Sequence, residues 1–243
     1  MAPPRRPPLT HFLSIPLHTP AALPTLQTTL TTLTTLLSPH LPPAAIRPAV
    51  TLHLTLGVMS LPTPEQLQSA TSFLSSLDLP AILRSMTPTP APPPVAQAPI
   101  EEGQPPPPPL KITLRNLTCL GPPQRATVLY TAPHDASGRL PRFAEHIRSL
   151  FSAAGLLVPE TRPLLLHATV VNTVYIRGRG RGRGRGERVT FDAAEALEWG
   201  RGRVFAEDVE VAGVCICRMG EARVGGVSQG YLEVARGVLG GAG

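Results

Sequence analysis

Cysteine is scarce in this chain of 243 residues, which has only Cys119, Cys215 and Cys217. So small and odd a number excludes a disulfide framework and fits a reducing compartment, so the expected location is nucleus and/or cytoplasm. The opening "MAPPRRPP" has no apolar stretch behind it, which argues against export. No apolar run approaches the ~20 residues that cross a bilayer, so no membrane association is expected. No serine stands in a G-x-S-x-G elbow, which removes hydrolases of that design. Charge is also low, at 16% against 42% apolar residues, a balance that lets the chain bury a core. Cys215 and Cys217 form a C-x-C inside "VAGVCICRM". With no second pair at a useful spacing they read as strand-face residues rather than metal ligands.

Proline and arginine are clustered. Of the 31 prolines many fall in residues 87–109, "TPTPAPPPVAQAPIEEGQPPPPP". At that density proline fixes φ and removes donors, so the segment is expected to be a disordered insertion within a single domain spanning 9–239. The net charge is +6, and residues 177–188 supply +5 of it through six arginines and one glutamate. The basic character therefore belongs to "RGRGRGRGRG" (177–186), not to the whole surface. Arg177, Arg179, Arg181, Arg183 and Arg185 are candidate nucleic-acid contacts, since arginine pairs with phosphates and stacks on bases. A low-complexity expansion in a loop is the other reading, because long loops cost little.

Periodicity supplies the elements. "LTHFLSIPL" (9–17) reads as a strand, and 23–37 as a helix whose face is Leu23, Leu26, Leu30, Leu33 and Leu37. "AVTLHLTLGVM" (49–59) is the next strand. A helix over 63–77 begins with Thr63, Pro64 and Gln66 in a capping-box pattern. Beyond the insertion come strands at 110–120 and 126–132, and a helix at 139–155 with Phe143, Ile147 and Leu150 inward and Gly155 as its cap. A strand at 162–176, a helical patch at 191–198, a strand at 209–219 and a helix at 230–239 complete the chain.

Two of these strands carry the same oddity. "LHLTLGVMSL" (52–61) and "LLLHATVVNT" (164–173) each place histidine and threonine at alternate positions of an apolar run. Side chains at i and i+2 share a strand face, so His53 pairs with Thr55 and His167 with Thr169. One such pair is an ordinary accident of a core strand. Two, 114 positions apart and each preceded by an apolar helix, have the organisation of an internal duplication. If the strands meet, two imidazoles and two hydroxyls converge on a spot suited to a phosphodiester. One imidazole can remove a proton while the other donates one, and hydroxyls can hold the non-bridging oxygens. Neither motif has an acidic cluster beside it, so no metal and no cofactor is expected. Of the other histidines, His11 and His18 read as surface or edge residues, His134 lies in a turn and His146 on a helix.

The ordered pair "HLTL" and "HATV" is similar to the H-x-[TS]-φ signature of the two-histidine (2H) phosphoesterase superfamily. "THFLSIPL" (10–17), "VLYTAP" (128–133), "LHATVVNTVY" (166–175), "FDAAEAL" (191–197) and "VEVAGVCICRMG" (209–220) resemble one branch of it. That branch holds the A-kinase anchoring protein gamma/delta-type domain and activating signal cointegrator complex subunit 1. The resemblance implies an α+β, bilobal fold with two antiparallel sheets related by a pseudo-twofold and helices outside. It implies His53 and His167 as an acid–base pair and Thr55 and Thr169 as phosphate binders. Substrates would be RNA phosphodiesters, 2',3'-cyclic phosphates or 2',5'-linked oligonucleotides. The chain departs from the branch at Ile176, where a basic residue is usual, with Arg177 following. The first family strand begins near residue 9, so the branch's KH module is not expected. Two functions stay open: a monomeric phosphoesterase, or a non-catalytic RNA- or nucleotide-binding subunit of a coactivator or DNA-repair complex.

Overall fold

The computed structural model describes residues 8–86, 109–176 and 188–240. The arginines Arg177 to Arg185, and all of the proline-rich segment except Pro109, lie outside the described residues. The strands are β1 (His11–Pro16), β2 (His53–Met59), β3 (Lys111–Cys119), β4 (Val128–His134), β5 (Ala168–Asn172), β6 (Val204–Glu210), β7 (Gly213–Val224) and β8 (Val227–Val238). The helices are α1 (Leu23–Leu37), α2 (Pro64–Ser76), α3 (Leu79–Ser85), α4 (Arg139–Ala153) and α5 (Ala194–Gly200). Among the described residues no helix is long and apolar enough to cross a membrane.

All pairings are antiparallel, in the order β6-β3-β4-β5-β2-β1-β7-β8. The order reads as two four-stranded halves, each with a β-α-β unit next to the junction: β4-α4-β5 on one side and β1-α1-β2 on the other. Where two separate sheets were expected, hydrogen bonding runs on through a single ladder pair, Leu54 with Ala168. The helices cross over the junction: α1 packs on β6 and α5, while α4 packs on β2 and α3. Each unit thus covers the other half's strands, and one continuous core results.

Helix α1 is rich in threonine, a mediocre helix former. It folds because Leu26, Leu30, Leu33 and Leu37 are buried along one face. The hydroxyls of Thr28, Thr31, Thr32, Thr34 and Thr35 each donate to the carbonyl four residues back, so their polar groups are satisfied on the helix itself. Helix α2 starts with the expected box: Gln66 N–H donates to Thr63 Oγ1 at 3.4 Å, and Thr63 N–H to Gln66 Oε1 at 3.2 Å. Helix α4 ends at Gly155, whose φ of +70° favours glycine.

Several expectations are corrected. Residues 230–239 are not a helix but most of β8, paired with β7 through a hairpin. Gly225 and Gly226, at φ of +56° and +81°, form a two-residue turn between the paired Val224 and Val227. The strand expected at 209–219 is divided between β6 and β7, and α3 was not anticipated. The strand expected over 162–176 is only Ala168–Asn172, followed by a short 3-10 turn at Thr173–Tyr175.

Strand β2 shares its core face with the segment that follows α4. Val158 N–H donates to Val58 O, and a Cβ added at Gly57 would stand 2.7 Å from Leu157 Cδ1. Glycine is what lets Leu157 pack there. Gly57→Val is expected to lower stability by about 1–3 kcal/mol through overpacking, measured by urea unfolding. An unchanged midpoint would show that Leu157 withdraws without cost.

Candidate active site

The four motif residues come together through register. In an antiparallel pair with Leu54 opposite Ala168, His53 falls opposite Thr169 and Thr55 opposite His167. All four lie on one face and are half-buried, whereas Leu54, Leu56, Ala168 and Val170 between them are buried. Both strands also slip at the same motif position. Leu13 pairs with Gly57 and Ser14 with Thr55, which leaves Leu56 as an extra residue. Leu129 pairs with Val171 and Tyr130 with Thr169, which leaves Val170 extra. Each threonine is therefore followed by a bulge whose apolar side chain sinks into the core. Bulges re-aim neighbouring side chains, and here the same device is used twice.

The imidazoles are held alike. His53 Nδ1 lies 2.7 Å from Thr51 O, and His167 Nδ1 lies 2.8 Å from Leu165 O. A carbonyl oxygen only accepts, so each Nδ1 carries the hydrogen and each Nε2 is left for other chemistry. His53 opens β2, whereas His167 immediately precedes β5 rather than lying within it.

The surroundings differ. Phe12 and Tyr231 wall in His53, with ring centroids at 4.9 and 5.2 Å, while Tyr130 stands edge-on to His167 at 5.3 Å. Behind Tyr231 is a buried charge cluster: Arg47 Nη2 donates to Tyr231 Oη at 3.2 Å, and Arg47 Nη1 lies 3.5 Å from Glu221. The Arg47 guanidinium also covers the Tyr175 ring at 3.8 Å. Burial is the main reason that the His53 pKa falls from 6.5 to about 4. The Thr51 carbonyl opposes that shift, and the charges of Arg47, His167 and His18 add to it. Burial also pushes the Tyr231 phenol up. At Glu221 burial pushes upward too, but Ser228, Arg223 and Arg47 outweigh it and hold the carboxyl below its ordinary value.

Arg47, Tyr231 and Phe12 were not singled out from sequence. A signal existed, since the chain has only three tyrosines and all of them, Tyr130, Tyr175 and Tyr231, line this region. His18 stands near His53, and His11 is buried rather than exposed. Cys215 and Cys217 do share a strand face, buried with Phe12, and burial pushes the Cys217 thiol up to about 11. Of two cavities among the described residues, one of about 460 Å³ is lined in part by Arg47, Arg223 and Ser228 and one of about 490 Å³ in part by Leu164 and Leu166, and neither is lined by a motif residue. Among the described residues no three His, Cys, Asp or Glu side chains are grouped to hold a metal ion.

The model of the AKAP7 2'5' RNA ligase-like domain matches residues 9–231, nearly the whole chain. The chain belongs to that family. It is thereby a member of the 2H phosphoesterase superfamily, a family of phosphoesterase and RNA ligase-like activity. Comparison with individual curated sequences gives no match. Among solved structures, one described as a phosphoesterase is similar with a TM-score of 0.50 and 17% identity, covering 96% of this chain and 98% of its own. That likeness concerns the fold. E. coli LigT complexed with 3'-AMP gives 0.49 and 18%, and LigT with ATP gives 0.49 and 14%, both with 96% and 98% coverage.

The depressed His53 pKa has a consequence for the family fold in this chain. Between pH 6.5 and about 4 the unfolded chain binds a proton at this residue and the native one does not. Stability from this source is therefore complete above pH 6.5 and is lost as pH falls towards 4. His53→Asn keeps a donor to Thr51 O but removes the titration. Its melting temperature is expected to fall less than the wild type's between pH 7 and 4, and parallel curves would refute the assignment.

Proposed function

We propose that this chain is a metal-independent phosphoesterase acting on RNA phosphodiesters, 2',3'-cyclic phosphates or 2',5'-linked oligonucleotides through His53 and His167. The observation that carries the reading is the matched pair of Nδ1–carbonyl bonds, which leaves two Nε2 atoms for proton transfer on one sheet face. His53 suits the base, because its lowered pKa keeps it neutral near pH 7. For a cyclic phosphate, His53 Nε2 takes a proton from water as the water oxygen bonds to phosphorus. The bond from phosphorus to one ribose oxygen breaks, and that oxygen takes a proton from His167 Nε2. The product is a phosphomonoester with a free ribose hydroxyl. Thr55 and Thr169 donate hydrogen bonds to the non-bridging oxygens, where charge grows in the transition state.

The test is turnover of 2',3'-cyclic nucleotides and 2',5'-oligoadenylates. His53→Ala and His167→Ala are each expected to lower kcat about 10²- to 10⁴-fold. Thr55→Val and Thr169→Val are each expected to lower it about 10²-fold. The acid limb of kcat/KM should lie well below pH 6.5, where an ordinary histidine titrates. Activity that survives both histidine substitutions would refute the mechanism. Binding without turnover by the wild type would leave a nucleotide-binding module instead.

A further inference from the structure

Arg47 enters from the connector between α1 and β2 and touches both halves of the sheet. Its own N–H donates to Val170 O at 2.8 Å, beside the bridge between Ile46 and Val171. Its side chain is 4% exposed and spends its guanidinium three ways. One face lies on the Tyr175 ring, just past β5, at 3.8 Å. The edge donates to Tyr231 of β8, and the charge meets Glu221 of β7. Tyr231 in turn stands edge-on to His53, and Tyr175 and Tyr231 bring their hydroxyls to 3.5 Å. The main-chain ladder between β2 and β5 is one pair long, so this cluster is a second tie across the junction.

We propose that Arg47 is a positioning residue for the histidine pair: it clamps Tyr231 against the His53 ring and fastens that wall to the strand behind His167. The role rests on the acid–base reading of the two histidines. Arginine fits because a planar fork can stack, donate and pair at once, which an ammonium cannot. Glu221 neutralises the buried cation and is itself shared with Arg223 at 3.1 Å.

The charged and titratable groups around His53 are Arg47 from the connector, His18 after β1, His167 before β5 and Tyr231 from β8. Glu221 and Arg223 of β7 stand behind Arg47. Losing Arg47 removes a positive charge and loosens the wall, and both changes favour a protonated His53.

The experiment follows the His53 Cε1–Hε1 resonance with pH, and the Tyr231–His53 ring NOE, in the full chain. Wild type is compared with Arg47→Lys, Arg47→Met and the double variant Arg47→Met/Glu221→Gln, which leaves no orphaned buried carboxylate. Arg47→Met and the double variant should lose the NOE and raise the His53 midpoint by about one unit, tenfold in proton affinity. Their kcat on a cyclic nucleotide should fall about tenfold or more with KM changed less than about threefold. Arg47→Lys keeps the charge without the clamp, so the NOE should weaken and the midpoint should rise less than in Arg47→Met. NOE and midpoint both unchanged in folded Arg47→Met and in the double variant would overturn the proposal. A wild type without turnover would refute the proposed function, and the NOE and titration would still decide the role of Arg47.

Discussion

The pairing of Leu54 with Ala168 joins the two halves of the sheet, and the placement of the motif side chains follows from its register. Moving β5 by one residue against β2 would put His167 and Thr169 on the core face and Ala168 outside, because side chains alternate along a strand. The core prevents this: Leu54 and Ala168 are fully buried, as are Leu56 and Val170 at the bulges. Crossing helices add a second restraint, since α1 and α4 each cover strands of the other half. The apolar packing on one face thus fixes the polar arrangement on the other.

The repeated β-α-β arrangement accompanies the likeness of the two motifs but not the difference between them. Bulge position, carbonyl partner and threonine placement are shared by β2 and β5. The asymmetry comes from residues that the two units do not share, some of them in β7 and β8. Tyr231 lies on β8, Glu221 on β7 and Arg47 in a connector, and together they surround His53 rather than His167. The lowered pKa of His53 comes mainly from burial among these neighbours, not from the motif it shares with His167.

Sequence periodicity was enough to place α1 and α2, where a leucine stripe or a capping box specifies the element locally. It also found both H-x-T pairs, because alternation of polar and apolar residues is a strand's own signature. It failed at β8. "YLEVARGVL" places Glu233 and Arg236 three apart as a helix would, and they do pair, but on a strand. Pairing with β7 overrides that local pattern, and the Gly225–Gly226 turn was the sign to heed. Arg47 was illegible for a different reason. Its partners, Tyr175, Glu221 and Tyr231, lie more than a hundred positions away along the chain, and only the folded sheet brings them together.

The uneven walls give the face a direction. Phe12, Tyr231 and Arg47 stand at one end, and Tyr130 at the other. A nucleotide strand also has two unlike ends. Were the two imidazoles equivalent, such a strand could lie across them in either sense and meet the same chemistry. For a substrate of the proposed class, one imidazole walled by Phe12 and Tyr231 and the other facing Tyr130 would make the two senses unlike.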